Sequence, residues 1–148
     1  DIMTRAAAIV IRDGMVALIR RVRDGQLYYI FTGGRMEPGE TPEEATVREV
    51  MEELGLVIEL GPLAAIVTFR GQQQFYFRTY RISGGVFGTG LGPEMLGQYP
   101  LENGLYEPVW LPIDQLLTEP VLPRPVAKLV VQAQVSGWPE KVQEYPEG

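Results

Sequence analysis

A chain of 148 residues with 45% hydrophobic and 22% charged residues has the make-up of one ordinary soluble domain, long enough to bury a real core. Its net charge of −6 argues against an extended nucleic-acid groove, which would be basic, and no apolar run approaches the length of a membrane span. Cysteine and histidine are both absent, so thiolate sites, the commonest general base and the commonest transition-metal ligand are excluded, and acid–base work falls to carboxylates before tyrosine or lysine.

Ala6 to Ile11 is a continuous apolar run that reads as a buried strand. Asp13-Gly14 marks a tight hairpin turn, and Met15 to Ile19 returns as its partner. Arg20, Arg21 and Arg23 follow directly. They read either as solvated charges at a strand end and in a polar loop, or as contacts for terminal phosphate oxygens if this edge faces the acidic helix below. After a turn at Asp24-Gly25, Leu27 to Phe31 forms a short aromatic strand that delivers the chain into Thr32-Gly33-Gly34. Glycine there permits positive φ and close approach of main chain to a ligand. Arg35, next in the chain, is a further candidate for binding a phosphorylated substrate.

The spacing predicts a helix of about three and a half turns after this loop. Thr41 is its N-cap, Pro42 suits the first helical position, Glu44 completes a capping box and Gly55 supplies the left-handed stop. On a helical wheel Val47, Val50, Met51 and Leu54 fall on one side, and Glu49, Glu52 and Glu53 on the other. A solvated acidic face is the plainest account, yet like charges three and four residues apart repel, and no lysine occurs before Lys128 to interleave them. Converging carboxylates without counter-charge are stable around a hard divalent cation such as magnesium, which takes oxygen ligands. Arg48, the helix's one cation, has a planar fork that pairs with Glu52 or Glu40 and holds a carboxylate in position.

Downstream, Val57 to Leu60 and Leu63 to Phe69 read as strands separated by Gly61-Pro62, and Gln72-Gln73-Gln74 as a polar turn. Phe75 to Ile82 is an alternating strand in which Phe75 either stacks on a base or packs within the sheet. Ser83 to Gly92 carries five glycines without the Gly-Lys-Ser/Thr ending of a triphosphate loop; with the segment up to Glu107 it suits a mobile flap beside an active site. Tyr106 to Leu111 returns to the sheet, Ile113 to Leu117 is a short helical turn, and Val126 to Val135 a last helix with Val126, Leu129, Val130 and Ala133 on one face. Residues 138–148 read as a loosely held tail of a single domain, 1–148.

Gly34, Glu40 after five intervening residues, and Arg48-Glu49-Val50-Met51-Glu52-Glu53-Leu54-Gly55-Leu56 after seven more resemble the signature box of the Nudix hydrolases at every defined position over 23 residues. The resemblance implies an α/β/α sandwich with a mixed, partly antiparallel sheet. It implies hydrolysis of a phosphoanhydride in a nucleoside diphosphate derivative: a nucleoside triphosphate, a nucleotide sugar or a dinucleoside polyphosphate. The implied metal is Mg2+, with Mn2+ as a substitute, held by Glu52, Glu53, the carbonyl of Gly33 and, as ligand or as base, Glu49. Glu107 competes with Glu49 for the base, and Glu94 is a weaker claimant to a similar loop position. Arg48 and Glu40 read as organisers of the ligands. Thr32 stands where many members carry proline, and only a local backbone effect is expected. The implied partner is a small phosphorylated nucleotide, without nucleic acid or membrane, for a cytoplasmic monomer or homodimer. A rival reading keeps the box in a regulatory module that binds nucleotide without hydrolysing it.

Overall fold

β1 (Arg5–Ile9) lies inside a mixed sheet, between antiparallel β4 (Gln26–Arg35) and parallel β6 (Gln72–Gly85). The structure, a computed structural model, describes residues 4–92 and 104–146. Both faces of β1 are covered, and from Ala6 on its sequence is therefore an unbroken apolar run rather than an alternation. Ala8 joins the core beneath α1 (Pro42–Leu54), while Ala7 and Ile9 join the core beneath α2 (Arg124–Ser136) on the other side. Val126, Leu129, Val130 and Ala133 of α2 are buried there, as the periodicity predicts.

Among the described residues the sheet has nine strands. Their order is β2 (Ile11–Arg12), β3 (Met15–Arg23), β4, β1, β6, β5 (Leu56–Phe69) and β9 (Gln143–Tyr145), with β7 (Leu105–Pro112) on β3 and β8 (Val121–Leu122) on β4. This is the expected mixed, partly antiparallel sandwich in one domain.

Several boundaries differ from the sequence reading, each for a physical reason. The first strand breaks at Val10, whose carbonyl accepts from Ala17 N instead of continuing the ladder. β3 continues through the arginines to Arg23, because Asp24 and Gly25 both take positive φ, 52° and 74°, and close a hairpin directly on Arg23↔Gln26. β4 runs on through Thr32-Gly33-Gly34, so this stretch is strand and not loop. The turn placed at Gln72–Gln74 lies at Arg70-Gly71, where an arginine adopts φ 54°. β5 passes through Gly61-Pro62 with register shifts instead of stopping. The helical turn after β7 is a single 3-10 turn, Ile113–Gln115.

The C-terminal segment is also corrected. β9 pairs in parallel with β5 from Ala65↔Gln143 to Val67↔Tyr145, and Trp138 and Tyr145 pack on the α2-side core. Residues 138–146 are docked, where sequence reading expected a loose tail.

Candidate active site

The ends of α1 form as its sequence dictates. Thr41 Oγ1 accepts from Glu44 N at 3.1 Å, Glu44 Oε1 accepts from Thr41 N at 3.0 Å, and Gly55 closes the helix at φ 77°. The faces do not divide as the wheel suggests. Thr46, Glu49, Val50, Glu53 and Leu54 are all buried, while Met51 is 41% exposed. The buried stripe at i, i+3, i+4 and i+7 thus has carboxylates along its centre, with Met51 rolled out to the surface.

One glycine of β4, Gly34, makes this inversion physically acceptable, and the next to it, Gly33, lets β4 pack on β1. A Cβ at Gly34 would collide with the Glu49 carboxylate, and one at Gly33 would lie 2.6 Å from Ala7 Cα of the neighbouring strand. Neither residue has positive φ; glycine is needed for room, and the expectation of unusual backbone at this point is not met. With that room, Glu53 lies against β4 and its Oε1 accepts from Thr32 Oγ1 at 2.8 Å and from Gly33 N at 2.9 Å. Two fixed donors on a carboxylate that is 4% exposed offset much of its desolvation. The sequence leads one to expect only a local backbone effect at Thr32, yet its hydroxyl holds Glu53. The signal was present as a hydroxyl residue standing where proline is usual.

Arg48 gathers the remaining charge. Its Nε and Nη2 donate to the two oxygens of Glu40 at 2.7 and 3.0 Å, Nη1 donates to Glu49 at 3.0 Å and Glu52 at 3.1 Å, and Nη2 also reaches Arg35 O at 3.1 Å. The bidentate bond to Glu40 raises the Arg48 pKa further, and the same bond holds the Glu40 carboxyl below its ordinary range. Both pairings anticipated for Arg48 are made at once.

These groups line a cleft of about 1280 Å³ that also takes in Arg21, Arg35, Tyr106 and the main chain at Gly33. Arg21 and Arg20 are separated by strand alternation. Arg21 is 6% exposed, its Nε donates to Leu105 O at 3.1 Å, and its guanidinium lies 3.6 Å from the Tyr106 ring centroid. Arg20 lies opposite Glu107 in the ladder and the two form an ion pair at 3.2 Å; neither lines the cleft. The structure thus does not bring Glu107 or Arg20 to the cleft: β7 follows β3 residue for residue, and its odd positions near 107 share the face of Arg20. Phe75, opposite Ala6 in the sheet, does not line the cleft either. Glu94 lies outside the described residues.

The flap expected over 83–107 is different in the part that is described. Ser83 to Gly85 continue β6, and the following turn is bonded to the end of α1.

Among the described residues, no three acidic side chains already surround a point that would hold a cation. Glu49 and Glu52 face Arg48, and Glu53 faces Thr32 and Gly33. By donor chemistry the set nevertheless suits a hard divalent ion, because it offers carboxylate and main-chain oxygen with no nitrogen or sulfur ligand.

Residues 3–130 match the NUDIX domain, and the chain belongs to that family, whose hydrolases act on nucleoside diphosphate derivatives and generally use divalent metal ions. A CTP pyrophosphohydrolase of Escherichia coli (strain K12) is 41% identical over 61 residues, 40% of this chain and 45% of that protein. A MutT-like protein of Streptomyces ambofaciens is 39% identical over 83 residues, 55% of this chain and 52% of that protein. The chain thus spans about half the length of these relatives. In fold it is similar to the crystal structure of a MutT NUDIX hydrolase from Burkholderia pseudomallei, with TM-score 0.66 and 22% identity over 92% of this chain and 99% of that one. No helix among the described residues is long and apolar enough to cross a membrane.

Proposed function

We propose that this chain hydrolyses a phosphoanhydride bond in a nucleoside diphosphate derivative with Mg2+, or with Mn2+ in its place. The observation that carries the reading is the buried pair Glu49 and Glu53, with Glu52 beside them, on the wall of a cleft whose volume of about 1280 Å³ admits a nucleotide. Glu52, Glu53 and the main chain at Gly33 are the groups that would hold the ion, with Glu49 as a further ligand or as the base. Bound there, it supplies neutralisation of pyrophosphate oxygens and a lowered pKa for the attacking water.

The roles within the set follow from what holds each side chain. Glu53 is fixed by two donors on β4 and is the ligand whose place is most closely set. Glu49 accepts from Nη1 of Arg48, whose Nε is held by Glu40, and its carboxylate on the cleft wall is the group we assign to accept the proton of the attacking water. Arg48 orients Glu49 and Glu52 and offsets their repulsion. Arg21, buried and stacked on Tyr106, and Arg35 both line the cleft and would position the nucleotide. A nucleoside triphosphate is the preferred substrate class, in keeping with the CTP pyrophosphohydrolase among the relatives. A small nucleotide is the expected partner of a cytoplasmic protein.

The rival reading, a regulatory module that binds nucleotide without hydrolysing it, would use the same cleft. Incubating the purified protein with magnesium and a panel of triphosphates, nucleotide sugars and dinucleoside polyphosphates separates the two. Metal-dependent release of pyrophosphate or phosphate with a mononucleotide is expected, and it should stop on chelation. Nucleotide binding without turnover of any compound would replace hydrolysis by the regulatory reading.

A further inference from the structure

A helix leaves its last carbonyls without partners inside the helix. In α1 those carbonyls belong to the turn that carries Glu52 and Glu53, and the glycine-rich turn after β6 supplies donors to them. Gly92 N donates to Glu52 O at 2.9 Å, Gly88 N to Leu54 O at 2.9 Å, and Val86 N to Gly55 O at 3.2 Å. The turn is closed on itself by Thr89, whose N and Oγ1 both donate to Val86 O at 3.2 and 2.6 Å. Phe87 anchors it to the sheet, with its ring centroid 4.9 Å from that of Trp110.

The closest approach is at Gly90, which is buried. Its φ is not positive, so backbone conformation does not demand glycine. Contact does: a Cβ there would collide with the carbonyl oxygen of Glu52 and stand 2.6 Å from that of Glu53. Gly88 presents the opposite case, with φ 92° and nothing within 4 Å of a Cβ. One glycine shapes the turn, and the other lets it press on the peptide between the two carboxylate residues.

We propose that residues 85–92 are a positioning element for those carboxylates. By bonding to the last carbonyls of α1 and closing on the Glu52–Glu53 peptide at Gly90, the turn sets the height at which Glu53 meets Thr32 and Gly33. A helix end would otherwise fray, and a displacement there carries the Glu52 and Glu53 side chains with it. The consequence for metal binding rests on the function proposed above, whereas the clamp itself is a matter of geometry.

The test is Gly90→Ala with two readouts. The Gly33 amide resonance reports its bond to the Glu53 carboxylate in the absence of metal, and titration of free Mn2+ by electron paramagnetic resonance reports affinity. Substitution is expected to move the Gly33 amide towards the shift of a weaker hydrogen bond and to weaken Mn2+ binding by about 10-fold or more, the effect typical of groups that orient ligands. Val86→Ala, at a side chain 66% exposed, should leave both unchanged. If Gly90→Ala does not fold, Thr89→Ala, which removes the 2.6 Å bond closing the turn, should move the Gly33 amide in the same direction. A folded Gly90→Ala protein with the parent's Gly33 amide and Mn2+ affinity would overturn the proposal. A parent that binds no Mn2+ would count against the metal reading alone, with the Gly33 amide still deciding the clamp.

Discussion

α1 and α2 are both thirteen residues long, lie on opposite faces of one sheet, carry a proline in the first turn and end at a glycine. Their means of support differ. α2 buries Val126, Ala127, Leu129, Val130 and Ala133, all apolar, and has no side-chain cap. α1 buries Thr46, Glu49 and Glu53 along with Ala45, Val50 and Leu54, and it carries a capping box, an arginine bonded to three carboxylates and main-chain donors at its C-terminal end. A helix held by apolar packing needs none of these. One that buries carboxylates gives up apolar area and must replace it with directed hydrogen bonds. The two helices therefore share the fold unequally: α2 contributes stability, and α1 contributes a charged site at some cost in stability.

That division can be broken by a pair of substitutions. Glu53→Gln keeps an acceptor for Thr32 and Gly33 but removes the charge, and we expect magnesium-dependent turnover to fall more than about 100-fold, beyond the loss typical of groups that merely orient a ligand. Its thermal midpoint should stay close to the parent's, since the side chain keeps its shape and its two donors. Leu129→Ala, at a site 4% exposed, should do the reverse. A loss of about 2–5 kcal/mol in denaturant unfolding is expected, with turnover per folded molecule unchanged. Full activity in Glu53→Gln, or inactivity in folded Leu129→Ala, would erase the distinction between the helices.

The sequence disclosed α1 better than its surroundings, for a reason that lies in range. Thr41, Pro42, Glu44 and Gly55 act on neighbours a few residues away, and their roles follow from spacing alone. Whether Glu49 and Glu53 face solvent or sheet depends on Gly34 lacking a side chain and on donors from Thr32 and Gly33, some twenty residues distant in the chain. No helical wheel contains that information. Arg20 and Arg21 look equivalent in sequence and part company only because β3 continues to Arg23, which places one on each face. The docking of residues 138–146 was hidden for a similar reason: β9 is three residues long and exists through its pairing with β5.

Thr32 offers a smaller and sharper test of how α1 is supported. Thr32→Val preserves volume in a fully buried position and removes one of the two donors to Glu53, leaving Gly33 N. A hydrogen bond to a charged group contributes about 1.5–3 kcal/mol, so unfolding free energy should fall by about that amount at neutral pH. Metal affinity should weaken by about 10-fold as Glu53 gains freedom. A valine variant as stable and as tight in metal binding as the parent would show that the hydroxyl at this position carries no function.

The smallest expected effect concerns Glu40, which is bonded to α1 through Arg48. The Arg48 hydrogen bond, aided by the bond from Glu37 N, lowers the Glu40 pKa beneath its ordinary 4.5. A carboxyl with a depressed folded value contributes stability that is present above the unfolded value and is lost as pH falls through the folded one. Glu40→Gln should therefore be less stable than the parent at neutral pH, and the gap should close progressively below about pH 4.5, where the parent's own carboxylate takes up its proton. Denaturant unfolding of both proteins from pH 7 downwards measures this directly. A gap that persists undiminished into acid would mean that Glu40 supports α1 by packing and not by charge, and the contrast with α2 would then rest on Glu49, Glu52 and Glu53 alone.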